Sequence, residues 1–262
     1  MKIPCFVIDA FTHEPFHGNP AGVCPLERWL RDETLQSIAA ENNLAETAFF
    51  VPRGDAFDLR WFTPTVEVDL CGHATLASAF VLHRLLGDAR ANWTFHSKSG
   101  ELIVTRDGEW YGLDFPSRPP APCPASDALV RGLGAVPLET GLARDVLAVF
   151  GSEREVLSLT PDPVVLARLP EFGIIATAPG EGCDFVSRFF APRQGVPEDP
   201  ATGSSHCTLI PYWSKRLGKR RLEARQVSPR GGEFRCEDRG ERVTIAGRAV
   251  RYLEGSIEVG AE

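Results

Sequence analysis

The chain has 262 residues, 35 acidic and 28 basic side chains, and a formal net charge of −7. With 43% hydrophobic and 24% charged residues it matches ordinary globular usage, which excludes wholesale disorder. The acidic balance argues against nucleic acid or an anionic membrane surface as a partner, and no apolar run reaches the ~18 residues of a membrane span.

The first residues, Met1 to Asp9, read as a strand over 3–11 rather than a signal peptide. A loop rich in turn residues follows over 13–22, then an amphipathic helix over 32–42 with Asp32 as N-cap. Strands are predicted at 47–52, 57–62, 92–97, 101–106 and 109–115. Between them, 72–86 is apolar on nearly every face until His83 and Arg84, the signature of a buried helix. The proline-rich stretch 119–125 can continue neither a helix nor a central strand. It therefore separates an N-terminal lobe, 1–118, closed by the C-terminal strand, from a C-terminal lobe, 126–262. In the second lobe strands are predicted at 173–178 and 183–190, a helix from Gly203 to Leu217, and further strands at 223–228, 233–236, 241–246 and 249–259.

Seven cysteines, at positions 5, 24, 71, 123, 183, 207 and 236, are odd in number and include no C-x-x-C pair. That usage points to reduced thiols in a cytoplasm, without a disulfide framework or structural zinc.

Two segments repeat. Arg60-Trp-Phe-Thr-Pro64 and Arg188-Phe-Phe-Ala-Pro192 are offset by 128 in the numbering (188 − 60), and Gly72 and Gly203, each opening an apolar helix, by 131 (203 − 72). Half the chain is also 131, so the pattern reads as an internal duplication rather than a chance recurrence of strand-loop-helix units. Helix starts of this kind carry unpaired N–H groups that hold a carboxylate or oxyanion, and two of them would suit a small anionic metabolite in a cleft between the lobes.

Glu46 is a lone acid among apolar and small residues; partial burial would raise its pKa and make it an acid or base near neutrality, whereas its bland role is a solvated charge at a strand start. His73 and Asp199 stand at equivalent places beside the two helix starts, where capping competes with catalysis as an explanation. Cys71 could act as a nucleophile or carbon-acid base, or be an inert buried thiol. Glycine-rich nucleotide loops, serine-hydrolase elbows and His-Glu-x-x-His are absent. The residues alone define a two-lobed enzyme with acid/base chemistry on a small anionic molecule.

Further motifs carry a resemblance. Val7-Ile-Asp-Ala-Phe-Thr12, Pro15-Phe-His-Gly-Asn-Pro-Ala-Gly22, Asn43-Leu-Ala-Glu-Thr-Ala-Phe49, Cys71-Gly-His-Ala-Thr75, Ser97-Lys-Ser-Gly-Glu-Leu102, Asp184-Phe-Val-Ser-Arg188, Glu198-Asp-Pro-Ala-Thr-Gly-Ser204 and Gln226-Val-Ser-Pro-Arg-Gly-Gly232 occur in order along nearly the whole chain. In these the sequence resembles the phenazine-biosynthesis PhzF-like family. The resemblance implies an α+β fold like that of diaminopimelate epimerase: two pseudo-symmetric lobes, each a mostly antiparallel barrel-like sheet wrapped around a central helix. It also implies a homodimer that needs no metal or organic cofactor. The implied activity is isomerisation of a trans-2,3-dihydro-3-hydroxyanthranilate-like carboxylate, with Glu46 shuttling the proton. His73, Asp199 and Ser204 would hold the substrate's polar groups, and Asn19, Gly72 and Gly203 would line the pocket. Epimerases of this fold use a thiol at each helix start. Here Cys71 takes one place, while Cys207 comes four residues after Gly203, about one turn into the helix. A single-carboxylate proton shift therefore fits better than the alternatives, a racemase working through Cys71 or a catalytically silent binding protein.

Overall fold

The computed structural model describes residues 1–260. It divides into two compact units, Met1–Asp114 together with the segment from Ala246 onward, and Phe115–Ile245.

The first unit contains β1 (Lys2–Ala10), β2 (Asn19–Pro25), α1 (Asp32–Asn42), β3 (Glu46–Arg53), β4 (Ala56–Phe62), β5 (Glu67–Val68), α2 (Gly72–Phe80), β6 (Asn92–Ser97), β7 (Gly100–Asp107) and β8 (Trp110–Pro116). β1 and β2 pair antiparallel, β2 and β3 parallel, β3 and β4 antiparallel, β4 and β6 parallel, then β6, β7 and β8 antiparallel in turn. Parallel neighbours need a crossover, and the two parallel steps are bridged by α1 and by α2.

In the second unit β9 (Ala121–Pro122), α3 (Asp127–Leu133), β10 (Glu139–Leu142), β11 (Val146–Val149), α4 (Glu153–Ser158), α5 (Pro163–Leu166), β12 (Ile174–Pro179), β13 (Phe185–Ala191), β14 (Val196–Asp199), α6 (His206–Leu217), β15 (Arg221–Gln226), β16 (Gly232–Asp238) and β17 (Arg242–Gly247) follow. The order of pairings repeats: β10 and β11 antiparallel, β11 and β12 parallel, β12 and β13 antiparallel, β13 and β15 parallel, β15 and β16 antiparallel. The duplication seen as sequence offsets is thus a duplication of strand topology.

The last strand, β18 (Ala249–Glu258), pairs antiparallel with β1 from Lys2 opposite Glu258 to Ala10 opposite Ala249. Its hydrogen bonds are made inside the first unit, so the second unit ends near Ile245 rather than at 262, and the first stops at Asp114 rather than 118.

Each unit encloses its own core. α2 packs against β1, β2 and β3, and Ala74, Leu76, Ala77 and Ala79 are fully buried in it. Its hydroxyls bond backward along the helix, Thr75 Oγ1 to the Cys71 carbonyl at 2.6 Å and Ser78 Oγ to that of Ala74 at 2.8 Å. Both hydroxyls are therefore satisfied within an otherwise apolar surround. Beyond Phe80 the helix relaxes into a π turn over Val81–Leu85, which ends the regular part sooner than the predicted 72–86. Under α1, Leu35 and Ile38 join Ile3, Cys5, Cys24, Phe49 and Phe62. The second core gathers Leu129, Phe150, Val156, Ile174 and Phe190. Each Leu, Ile or Phe so buried contributes roughly 1.5–3 kcal/mol.

Some local expectations change. Asp32 is the first helical residue of α1, not its cap: Arg31 occupies the cap position, and Asp32 pairs with Arg60 instead. Part of the predicted loop 13–22 is strand β2, held between β1 and β3 despite its glycine and prolines. Gly203 does not open the second helix; Gly203–Ser205 form a turn with i−3 hydrogen bonds, and α6 begins at His206. Among the described residues no helix is long and apolar enough to cross a membrane.

Candidate functional site

In the first unit, three candidate groups converge. Glu46 is the first residue of β3, lying opposite Ala21 of the parallel strand β2. Gly72 and His73 begin α2, and Cys71 occupies its cap position with an extended backbone, φ −145°. Strand end and helix start bring His73 Nε2 to 3.2 Å from Glu46 Oε2, with side chains only 9% and 21% exposed. The Cys71 thiol lies 3.5 Å from Nδ1 of the same imidazole. Asn19, fully buried, heads β2 opposite Ala10 in the same unit.

Electrostatics make Glu46 and His73 an ion pair. Burial pushes the Glu46 carboxyl up, but the charge of His73 and contacts with His73 and Cys71 outweigh it and leave the group below its ordinary 4.5. The upward shift expected from burial alone is therefore reversed. Burial likewise draws the His73 imidazole down, yet Cys71 and Glu46 hold its proton well above 6.5. Burial and the neighbouring Glu46 raise the Cys71 thiol above 9.0, so it is neutral near pH 7. The donor atoms of Glu46, Cys71 and His73 all lie within 4.8 Å of one another and could together hold a soft divalent ion.

The second unit carries Asp199, Gly203 and Ser204. Asp199 ends β14, and its carboxylate accepts a hydrogen bond from the Thr202 hydroxyl. The turn is fixed from beneath by Gln226, which is 1% exposed. Its Nε2 donates to the Asp199 carbonyl at 2.6 Å and to Thr202 Oγ1 at 3.2 Å, and its Oε1 accepts from the Thr202 amide at 2.8 Å. Ser228 Oγ donates to the Pro200 carbonyl at 2.7 Å, and Gly232 lies so close to Ala201 that an added Cβ would sit 2.7 Å from the alanine's own. The segment 226–232 is thus the bed of the 199–202 turn, a role that its residue types alone did not disclose. Ser204 Oγ accepts from Arg144 Nη2 at 3.1 Å. Cys207 is 2% exposed, and burial pushes its thiol up to about 11.

Arg60 and Arg188 fasten the approaches to these sites. Arg60 grips Glu67 through Nε and Nη2 at 2.8 and 2.9 Å, and Arg188 grips Glu198 the same way at 2.7 and 2.9 Å.

Two duplicated α+β units, each with a mostly antiparallel sheet around a helix, define an epimerase-like fold. A predicted epimerase of Pseudomonas aeruginosa has that fold, with a TM-score of 0.74 at 17% identity over 98% of this chain and 100% of the other. The family model of phenazine biosynthesis-like proteins matches residues 8–255, and the chain belongs to that family. A Pseudomonas aeruginosa protein named an uncharacterized isomerase is 50% identical over 259 residues, covering 99% of this chain and 100% of the relative. The crystal structure of a PhzF family protein from Enterococcus faecalis superposes with a TM-score of 0.97 at 47% identity, over 99% of this chain and 100% of that one.

Proposed function

We propose that the protein is a cofactor-independent isomerase that moves a proton between two carbons of a small carboxylate-bearing metabolite, with Glu46 as the shuttle. The observation that carries this reading is the Glu46 carboxyl held 3.2 Å from the His73 imidazole at the start of α2. An ionised carboxylate can accept a proton from a carbon whose electrons delocalise toward an acidifying group. The same carboxyl then returns that proton to another carbon of the same molecule, so no electrons leave and no second reactant is needed. His73 keeps its proton throughout and donates to the oxygen on which charge develops. Its location at a helix start, where backbone N–H groups are unpaired, adds to that stabilisation.

A two-thiol mechanism is the weaker reading. Cys71 and Cys207 are both buried with raised thiol pKa values, and neither is a ready base near neutral pH.

The test is proton exchange in deuterated water with trans-2,3-dihydro-3-hydroxyanthranilate and related unsaturated carboxylates. Deuterium should enter at the carbon that gains the proton, and Glu46→Gln should slow this by roughly 10²–10⁴-fold. Full turnover in Glu46→Gln, or full dependence on Cys71 instead, would overturn the proposal.

A further inference from the structure

The duplication shows what replaces the Glu46–His73 pair in the second unit. Arg60 lies opposite Phe49, and Arg188 opposite Ala176, so Gly173, three residues before Ala176, takes the position that Glu46 holds three residues before Phe49. Ser204 likewise follows Gly203 as His73 follows Gly72. Glycine offers no acid, and the Phe189 ring fills the vacated space, its Cζ 2.3 Å from where a Cβ on Gly173 would lie, with Asp145 Oδ1 beside it at 3.2 Å.

Asp145 is 1% exposed and engages Arg144 through Nε and Nη2, at 2.8 to 3.2 Å. The Phe172 ring covers one face of the guanidinium, 4.3 Å from Cζ to the ring centroid. A bidentate carboxylate on one edge and an aromatic face against the plane leave the guanidinium little freedom. Two donor groups remain. Nη1 of Arg144 has no hydrogen-bond partner among the described residues, and its side chain is 28% exposed. Ser204 Oγ accepts from Arg144 Nη2, which leaves the hydroxyl proton available for donation.

We infer that Arg144, oriented by Asp145 and Phe172, binds the carboxylate of the substrate together with the Ser204 hydroxyl. This rests on the reading that the substrate carries a carboxylate, and it names the residues that select it. Because Asp145 cancels most of the guanidinium's charge, the pair suits a planar monoanion and disfavours a phosphate dianion. Asp145 is a positioning residue, since it acts through Arg144.

The probes are 3-hydroxyanthranilate, its carboxamide and inorganic phosphate, with binding followed by calorimetry. The wild-type chain should bind the carboxylate about 10- to 100-fold more tightly than the carboxamide, the range of a charged hydrogen bond. Ser204→Ala should reduce that preference, and Arg144→Lys should retain part of it. Arg144→Met alone leaves Asp145 buried and unpaired, so the informative variant is Arg144→Met with Asp145→Asn, which should abolish the preference. In the unaltered chain the Nε–Hε resonance of Arg144 should shift on adding the carboxylate and not on adding the carboxamide. An unmoved resonance, a preference unchanged in the double variant, or tighter binding of phosphate than of the carboxylate overturns the inference. Proton exchange separates the two proposals: carboxylate binding through Arg144 without Glu46-dependent exchange fails the isomerase reading alone. Glu46-dependent exchange with Arg144 silent fails this inference alone.

Discussion

Arg60 and Arg188 hold equivalent places in the duplicated plan and perform the same task, each closing a two-pronged grip on a glutamate just upstream of a helix start. The grips differ in their surroundings. Glu67 has a second cation, Lys98 Nζ at 2.6 Å, whereas Arg188 also donates to the carbonyls of Val156 and Leu159, at 3.3 and 2.9 Å.

The first prediction follows from that difference. Arg188→Met strands a largely buried carboxylate and two carbonyls, and should destabilise the protein by about 3 kcal/mol. Arg60→Met leaves Glu67 with Lys98 and should lower stability by only about 1 kcal/mol. Urea unfolding of both variants measures the contrast, and equal losses would contradict it.

Removing the imidazole should reverse the titration of Glu46. In the unaltered chain the carboxyl ionises below 4.5, because His73 overcomes burial. In His73→Gln only the Cys71 contact still opposes burial, and the pKa should rise. Carbon-13 NMR of the Glu46 carboxyl, followed from strongly acidic to neutral pH, reads this without any substrate. The acid limb of proton exchange should move upward in parallel, and a limb that stays in place would exclude Glu46 as the shuttle.

His206 gives the protein an acid-sensitive point. It is fully buried, stacked 3.9 Å from the Phe234 ring, and Nδ1 contacts the Thr202 carbonyl at 2.9 Å. Burial pulls its pKa from 6.5 to about 4, despite the opposing bond to Thr202. The unfolded chain therefore binds the proton first, and stability falls as pH drops from about 6.5 toward 4, by up to about 3 kcal/mol from this group. His206→Phe should flatten that part of the pH–Tm curve while losing some stability at neutral pH.

Gln226 should prove structurally demanding although it bears no charge. Gln226→Leu leaves the Thr202 amide and the Asp199 carbonyl without their buried partner, a loss of roughly 2–4 kcal/mol. A glutamate at this position would keep one acceptor and lose the amide donor, so Gln226→Glu should recover less than half of the deficit. Thermal unfolding compares the two.

The duplicated topology was legible because Arg-aromatic-aromatic and glycine landmarks recur at nearly constant offsets. Glu46, Cys71 and His73 could be singled out by residue type and neighbours. Their mutual charge balance could not, since Glu46 and His73 belong to separate elements, β3 and α2, and only folding sets the imidazole on the carboxyl. The role of Gln226 leaves no periodic trace in the sequence because its bonds reach far back along the chain, to Asp199 and Thr202. β2 was hidden by residues that favour turns, and burial between two strands overrides that local preference. The start of α6 is hidden in the sequence because Gly203-Ser204-Ser205 have the composition of a helix cap yet form the turn ahead of it.

The pairing of β1 with β18 sets a timetable. β1 waits for β18, with the whole of Phe115–Ile245 synthesised between them. The second unit can assemble while its predecessor still lacks a neighbour along β1, so an exposed strand edge persists through most of translation. Joining strands so far apart in the sequence is a late, slow step. Chains stalled before Ala249 should accordingly be the species that aggregate and engage chaperones.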